Sequence, residues 1–466
     1  MRIAYLWCAV PFCEQRRIAT EFRFLEVPSA APITKQHTNW FTILASKVRP
    51  LVSPGMMSLA RIFFLLLLLV SDACIAQAAM PQFILPKTSL EASDLAVIVN
   101  DDDPLSRQIG EYYQKRRNIP RANVIHVRFR PGQSAMTEKE FSRIKAEVDK
   151  KSPKSIQAFA LTWAAPYRVD CMSITSAFAF GFSKDFCSHQ CSATKPSSYF
   201  NSSSTAPYTN QKIRPAMTLA ALNFDYAKAL IDRGVAADNS NPPGTAYLLS
   251  TGDGSRNVRA AVYQDAIEES GDWVDVKLIK NDFLKDKADV LFYFTGMQTV
   301  PYLDTLKFRP GAIADHLTSG GGQLTDSGQM SSLRWLEAGA SGSYGTVVEP
   351  CNHLAKFPNP AVLMYWYLAG NSLIEAYWKS VQWPGEGIFI GEPLANPYGG
   401  FSVRRDKGEI VLRTQALPPG IYGLLGASSI VGPYHPESVR VTVHLGINEL
   451  RFKNLDKTVY RVVRLP

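Results

Sequence analysis

The sequence predicts an α/β protein with a mostly parallel sheet flanked by helices, followed by a small C-terminal β-sandwich. Two observations lead to this fold class. From residue 95 onward, short apolar runs rich in β-branched residues alternate with amphipathic segments, which is the pattern of strand–helix–strand units. After about residue 400 the helical pattern stops, and apolar and polar residues alternate instead, as in antiparallel strands with one buried face.

The first unit of the sheet is predicted from Leu95–Val99, an apolar run typical of a buried strand. Asn100–Pro104 follows, a strand-to-helix turn with several capping residues and a proline suited to the first helical turn. Apolar side chains then recur at helical spacing from Ile109, and Asn123–Val127 is the second strand. A β–α–β unit is therefore predicted within about 35 residues, as a parallel sheet requires.

The alternation continues through the α/β region, which we place at residues 79–400. Thr137 and Glu140 form a capping box at the start of a predicted helix. Residues 183–215 are rich in Ser, Pro, Asn and Thr, and we expect an excursion over the surface there. The further predicted strands are Ala158–Trp163, Ala246–Ser250, Val274–Leu278 at an edge and Asp289–Phe294, and the predicted helices are Thr137–Lys150, Leu219–Arg233, Val258–Ser270 and Pro310–Leu317.

The C-terminal residues 401–466 are predicted to form a separate β-sandwich-like module. Turn signals such as Pro418–Gly420 separate its alternating runs. The predicted strands of this module are Ile410–Arg413, Val439–His444, Leu450–Phe452 and Val459–Val463.

The N-terminal region is predicted to carry an export signal. Arg61 precedes nine apolar residues that end at Val70, too few to cross a membrane. Ala76-Gln-Ala78 follows as a small-x-small cleavage site, so residues 56–78 are predicted to be a signal peptide. If the signal peptide begins at residue 56, we expect residues 1–55 to be an extension that results from a start codon assigned too early. The alternative is an uncut signal anchor with residues 1–55 in the cytoplasm. Cleavage would leave a periplasmic or extracellular protein with no stable transmembrane helix.

Charge gives no indication of a nucleic-acid partner. The chain has 50 basic and 41 acidic residues, and without residues 1–78, which hold 8 and 4 of these, 42 and 37 remain. The excess of five positive charges is small for this length and forms no basic block. We therefore expect an unidentified protein or another envelope component as the partner.

Four cysteines follow the predicted signal peptide: Cys171, Cys187, Cys191 and Cys351. An even number in an exported chain predicts disulfides, with a local bond or a bond to Cys171 as the preferred arrangement. Cys187 and Cys191 with His189 between them could alternatively bind a metal ion.

Polar residues follow several predicted strands and are candidates for a site at the sheet edge. Asp101–Asp103 and Asp253 follow two strands, and Arg168 follows a third. Carboxylates of Asp102, Asp103 and Asp253 could bind a divalent metal, and with Arg168 they could form a hydrolase site. The alternative is that the acidic residues cap helices and that Arg168 pairs with Asp170. We predict no cofactor beyond this candidate metal.

Other candidate catalytic groups are less well placed. Cys351 and His353 could form a cysteine-peptidase pair, with His316 as a second choice for the base, although such pairs usually come from separate segments. Ser341 and Ser343 lie among glycines, but neither has the two flanking glycines of a nucleophile elbow.

Several segments together resemble an uncharacterised family of exported bacterial proteins found in species that carry the exosortase protein-sorting system. The resemblance extends over residues 93–400, and its segments are Leu95–Asn100, Tyr112–Pro120, Asn123–Ile125, Pro310–Ser319, Gly339–Pro350 and Gly391–Leu394. It implies export and a place at the cell envelope, but no defined chemistry.

A more distant resemblance is to gingipain-type and other peptidases of the caspase fold, whose sheet is flavodoxin-like. Their strand ending in Thr-Gly-His is similar to Phe294-Thr-Gly296, but here Met297 stands at the histidine position. Ala312–Leu317 resembles the helix after it, and Gly391–Pro393 a later turn. In these peptidases the catalytic cysteine follows the next strand, but the segment Gln298–Arg309 holds no cysteine. The resemblance thus implies a caspase-like scaffold without its Cys–His dyad, acting in binding or in protein processing or sorting.

Overall fold

The computed structural model describes residues 80–466, and a ten-stranded sheet forms their centre. In chain order the strands are β1 (Gln82–Ile84), β2 (Leu95–Asn100), β3 (Val124–Val127), β4 (Ala135–Met136), β5 (Ala158–Leu161), β6 (Arg168–Val169), β7 (Met172–Ser173), β8 (Ala216–Thr218), β9 (Thr245–Ser250), β10 (Asp275–Lys280), β11 (Val290–Thr295), β12 (Phe308–His316), β13 (Gly342–Thr346), β14 (Gly387–Gly391), β15 (Phe401–Asp406), β16 (Glu409–Thr414), β17 (Gly420–Ala427), β18 (His435–Val443), β19 (Asn448–Phe452) and β20 (Val459–Arg464).

The central sheet has the order β10-β9-β11-β12-β13-β14-β8-β5-β2-β3. It is mainly parallel, as predicted, and β14 runs antiparallel to β13. Its strands are apolar throughout because both faces are covered. In β2, for example, Val97 and Val99 face one hydrophobic core, while Ala96 and Ile98 face another.

Nine α-helices in the described part of the chain flank this sheet. They are α1 (Pro104–Arg116), α2 (Glu138–Lys151), α3 (Ile174–Phe180), α4 (Pro207–Gln211), α5 (Phe224–Ala237), α6 (Tyr263–Ser270), α7 (Leu333–Ala338), α8 (Pro360–Leu368) and α9 (Leu373–Ser380). Apolar residues of α1, α6, α8 and α9 belong to one core, and those of α2, α3 and α7 to the other. Asp103 caps α1 by accepting from the Leu105 amide, and Thr137 caps α2 by accepting from the Glu140 amide. The return bond of the predicted capping box, from the Thr137 amide to the Glu140 carboxylate, is not formed.

The C-terminal strands form a small sandwich, as predicted. One sheet has the order β15-β16-β19, the other β1-β20-β17-β18, and apolar residues of both share one core. β1 comes from the N-terminal side of the α/β region and pairs in parallel with β20, Gln82 opposite Val459. This strand was not predicted, because its three residues carry no usable periodicity.

One predicted helix is wrong and another is displaced. Pro310–Leu317 is not helical, because Phe308–His316 form β12 in the middle of the sheet, with Ile313 and Ala314 buried against different cores. A short apolar run fits the helical and the strand periodicity equally well, so its place in the sheet determines which structure it forms. The helix predicted from Leu219 begins at Phe224, because Asn223 caps it through the Tyr226 amide.

The region of residues 183–215 is largely irregular but not wholly on the surface. It contains α4, and Tyr199 within it is fully buried. Within residues 80–466, no helix is long and apolar enough to span a membrane. The predicted signal peptide and the preceding extension lie outside the described residues.

Candidate functional site

The candidate site lies where β9, β11 and β12 end side by side. β11 and β12 are parallel, with Thr295 opposite His316, so Met297 and Thr318 follow at equivalent positions two residues beyond. Gly296, just before Met297, packs directly against the turn that contains Arg256. Only glycine fits there, because a Cβ would lie 2.0 Å from the Arg256 carbonyl oxygen. Close packing of this turn therefore brings Arg256 to the sheet edge.

Met297 is half-buried at this edge. It packs against the small apolar cluster that contains Tyr293, Val300 and Trp335. Gln298 and Thr299, which follow it, are exposed. We call the edge where β9, β11 and β12 end the rim. The Met297 thioether therefore lies at the surface of the rim, and its inner side packs against apolar side chains.

Thr318 is buried and hydrogen-bonded on both sides. Its hydroxyl accepts from Arg256 Nε at 2.9 Å and donates to Gln329 Oε1 at 2.7 Å. The same Gln329 oxygen accepts from the Gly320 amide at 2.8 Å. No base is hydrogen-bonded to this hydroxyl, so nothing at the position prepares it to act as a nucleophile.

His316 is the last residue of β12 rather than part of a helix, and its ring is buried. Its Nδ1 accepts from Trp335 Nε1 at 2.9 Å, and its Nε2 donates to the Met330 carbonyl at 3.1 Å. Burial lowers the pKa of His316 from 6.5 to about 3. The imidazole is therefore neutral, and its two hydrogen bonds position Trp335 and the loop that contains Met330.

This shift predicts a pH dependence of stability. The folded state binds fewer protons than the unfolded state between about pH 3 and pH 6.5, so stability present above pH 6.5 is lost as the pH falls. From pH 7 to pH 5 we expect His316 alone to remove about 2 kcal/mol from the free energy of unfolding. Urea denaturation at both pH values should show this difference in the wild type and a smaller one in His316→Gln. The control is His435→Gln, which replaces an exposed histidine and should show the same difference as the wild type. Equal differences in all three proteins would contradict the assignment.

A buried ion pair underlies the rim. Arg259 and Asp315 form a salt bridge, and each side chain is only 1% exposed. Arg259 also donates from one guanidinium nitrogen to the Thr295 carbonyl at 2.9 Å and to the Asp315 carbonyl at 3.2 Å. Burial raises the pKa of the Asp315 carboxyl. The pair thus connects the last turn before α6 to the ends of β11 and β12.

The acidic candidates do not form one site. Asp253 pairs with Arg256 at 2.8 Å, whereas Asp102 pairs with Arg128 at 2.8 Å and Asp103 caps α1. Six strands lie between β9 and β2, the strands that these residues follow. Because β13 and β14 are antiparallel and the other pairs between β9 and β2 are parallel, β2 and β9 run in opposite directions and end at opposite edges of the sheet. Among residues 80–466, no group of three or more His, Cys, Asp and Glu side chains is placed to bind a metal. The proposed combination of Asp102, Asp103 and Asp253 is therefore wrong as a single metal site.

Arg168 lies in β6, outside the central sheet, and donates to the Asp170 carbonyl at 2.7 Å. The nearby Tyr167 hydroxyl donates to Asp326 at 2.6 Å, which joins the loop after β5 to the loop after β12. Within residues 80–466, no hydrogen bond or ion pair joins Arg168 to Asp103 or to Asp253, since Arg168 bonds to Asp170 and Asp253 to Arg256.

The cysteines form two disulfides, Cys171–Cys187 and Cys191–Cys351. The first matches the predicted bond to Cys171. Because the sulfur of Cys351 is bonded, it offers no thiol, and the alternative of a Cys351 peptidase is corrected accordingly. The partner histidine is also engaged, as His353 Nε2 donates to the Cys191 carbonyl at 2.7 Å. Oxidised Cys187 and Cys191 likewise exclude the metal site with His189.

The serines among glycines are buried. Ser341 and Ser343 lie at the start of β13, and the Ser341 hydroxyl oxygen accepts from the Gly311 amide at 3.2 Å. Neither serine stands on an exposed turn, so the structure gives no nucleophile elbow here.

No protein-family model matches the chain, and no curated protein matches it. Among solved structures, the chain is similar to the Arg-specific cysteine proteinase gingipain R, with 9% identity and a TM-score of 0.42 over 81% of this chain and 99% of that one. A structure described as a protease has 11% identity and a TM-score of 0.35 over 81% and 98%. Similarity at this level concerns the arrangement of helices and strands alone.

Four residues of the rim were not among the sequence-based candidates: Arg256, Arg259, Thr318 and Gln329. Recognising β12 as a strand would have indicated Thr318, since it follows that strand. The two arginines and Gln329 reach the rim from turns whose folding depends on the strand order, and no local pattern marks them.

Proposed function

We propose that this is an exported cell-envelope protein that binds a polypeptide partner at the rim formed by β9, β11 and β12, without acting as a cysteine peptidase. One observation carries the proposal: Met297 and Thr318 occupy the two adjacent positions where β11 and β12 end. A thioether cannot accept a proton at neutral pH, and the neighbouring hydroxyl is held by Arg256 and Gln329.

Other groups near the rim support a non-catalytic role. The buried His316 uses both ring nitrogens within the protein. All four cysteines of the described residues are in disulfides. A general base within reach of a nucleophile is what acyl transfer would require, and none of these groups meets that condition.

The surface of the rim suits a protein partner. Met297 and Met330 are half-buried, and flexible thioethers adapt to varied apolar side chains. Gln298, Thr299 and Tyr302 are exposed beside them. Aromatic and methionine side chains with a polar margin are typical of protein-binding surfaces.

The disulfides support a location outside the cytoplasm, because such bonds persist in oxidising compartments. The signal-like residues 56–78 and the resemblance to exported proteins of exosortase-carrying bacteria support the periplasm or the cell surface. A role in protein processing or sorting would accord with that setting.

The test is a search for peptide hydrolysis. We expect no cleavage of a mixed-sequence peptide library and no labelling by a thiol-directed activity probe in the absence of reductant. The decisive comparison is between Thr318→Val and the matched control Thr299→Val, which alters an exposed threonine at the same edge. Hydrolysis by the wild type that is lost in Thr318→Val and kept in the control would show a catalytic hydroxyl and overturn the proposal.

A further inference from the structure

A basic pocket lies apart from the rim, between α2, α3 and α4. Its volume is about 380 Å³, and its lining includes Lys145, Lys154, Lys212 and Arg214 but one carboxylate, that of Asp149. None of its lining residues belongs to the candidate site described above. The pocket therefore carries an excess of three positive side-chain charges.

Arg214 is fixed at the base of this pocket. Its side chain is only 7% exposed, and its guanidinium carbon lies 3.4 Å from the centre of the Tyr208 ring. Nε donates to the Ile156 carbonyl at 3.1 Å, and another nitrogen donates to Asp149 at 3.4 Å. Burial lowers the pKa of Arg214, against the opposing effects of Tyr208 and Asp149.

The single carboxylate does not balance the lysines. Asp149 is shared between Arg214 and Lys145, whose Nζ lies at 2.5 Å. Lys212 donates to the Thr209 carbonyl at 3.2 Å and is exposed. Lys154 is also exposed, and among residues 80–466 it has no hydrogen-bond or ion-pair partner.

Helix termini account for part of this charge. α2 and α3 both end near the pocket, and a helix C-terminus carries about half a negative charge. Two such ends offset about one of the three excess charges, so roughly two remain. Ordinary C-terminal capping by lysine therefore does not explain the whole cluster.

We propose that this pocket binds an oxyanion group: a phosphate, sulfate or carboxylate. Ring stacking holds the guanidinium in place, Nε and Nη1 are engaged by Ile156 and Asp149, and Nη2 remains to donate to such a group. Lys154 and Lys212 supply mobile charges at the entrance. Phe180 and Tyr208 also line the pocket, and these rings can contact the apolar part of an organic anion. This site is independent of the function proposed for the rim.

The test measures binding of inorganic phosphate, sulfate, acetate and phenyl phosphate to the purified protein by calorimetry at low ionic strength, where screening is weak. We expect saturable binding of at least one anion, weakened at least tenfold in Lys154→Gln/Lys212→Gln. These lysines are exposed, so this variant should fold. Lys150→Gln, an exposed lysine on α2 outside the pocket, is the matched control and should bind like the wild type.

A third variant, Arg214→Lys, keeps the charge but removes the planar guanidinium and its stacking on Tyr208, and it should also bind at least tenfold more weakly. Tighter binding of phenyl phosphate than of inorganic phosphate would indicate an organic ester as the ligand, and equal affinity a free anion. Absence of binding at millimolar concentrations of all four anions would overturn the proposal. Equal binding in the wild type and the double-lysine variant would overturn it as well.

Discussion

Asp315→Asn should destabilise the protein by about 3–5 kcal/mol, because it leaves the buried Arg259 guanidinium without its counter-charge. Both side chains are 1% exposed, so solvent cannot take the place of the lost partner. Arg259 also holds the carbonyls of Thr295 and Asp315, and its displacement would loosen the ends of β11 and β12. The free energy of unfolding, measured by guanidinium denaturation, reports the loss.

The matched control is the exposed ion pair between Glu111 and Lys115 on α1. Solvent screens such a pair, and we expect no measurable change in Glu111→Gln. A double variant, Arg259→Met/Asp315→Leu, should be more stable than Asp315→Asn, because it removes both charges and fills the space with apolar atoms. If the double variant is no more stable than the single one, an unpaired charge is not the source of the loss.

The same pair explains why β12 was predicted to be a helix. Strands with continuous apolar runs, such as β2 and β11, were predicted with little error, because burial on both faces leaves a simple apolar pattern. β12 instead ends in Asp315 and His316, which are buried because Arg259 and Trp335 come from distant segments to meet them. A buried charge such as that of Asp315 is explained by its partner Arg259, and the residues around Asp315 in the sequence do not reveal that partner.

The candidate site was predicted in part for a similar reason. The end of β11 at Thr295 and the position of Met297 follow from the local apolar run, and both were predicted. Which strand lies beside β11 is a matter of sheet order, and the sequence offers no local signal for it. Asp103 and Asp253 follow strands in the same manner, yet six strands separate them. Equivalence along the chain therefore did not imply proximity in space.

The arrangement at the rim connects stability to the proposed binding role. Hydrogen bonds fix Thr318 between Arg256 and Gln329, and Trp335 and the Met330 carbonyl fix His316. Side chains that catalyse reactions commonly have perturbed environments with access to substrate, whereas His316 is fully enclosed. Its depressed pKa is thus explained by packing, and the groups left accessible at this edge are the thioethers and the polar side chains around them.

Removing the disulfide between Cys191 and Cys351 should cost more stability than removing the one between Cys171 and Cys187. The first closes a loop of 160 residues and the second a loop of 16. Loop-closure entropy then predicts losses of about 5 and about 3 kcal/mol, respectively, because the longer loop gains more freedom in the unfolded chain. Guanidinium denaturation of Cys191→Ser/Cys351→Ser and of Cys171→Ser/Cys187→Ser measures the two effects.

Few other contacts would keep the two segments together after this substitution. His353 would still donate to the carbonyl of residue 191, and Lys356 to the Ser188 hydroxyl, but a net hydrogen bond contributes only about 1 kcal/mol, or about 2 kcal/mol when one partner is charged. We therefore expect the segment around residue 191 to become sensitive to proteolysis in this variant and to stay protected in the other. A larger stability loss from the short-loop variant would show that local packing, rather than loop closure, determines the contribution of each bond.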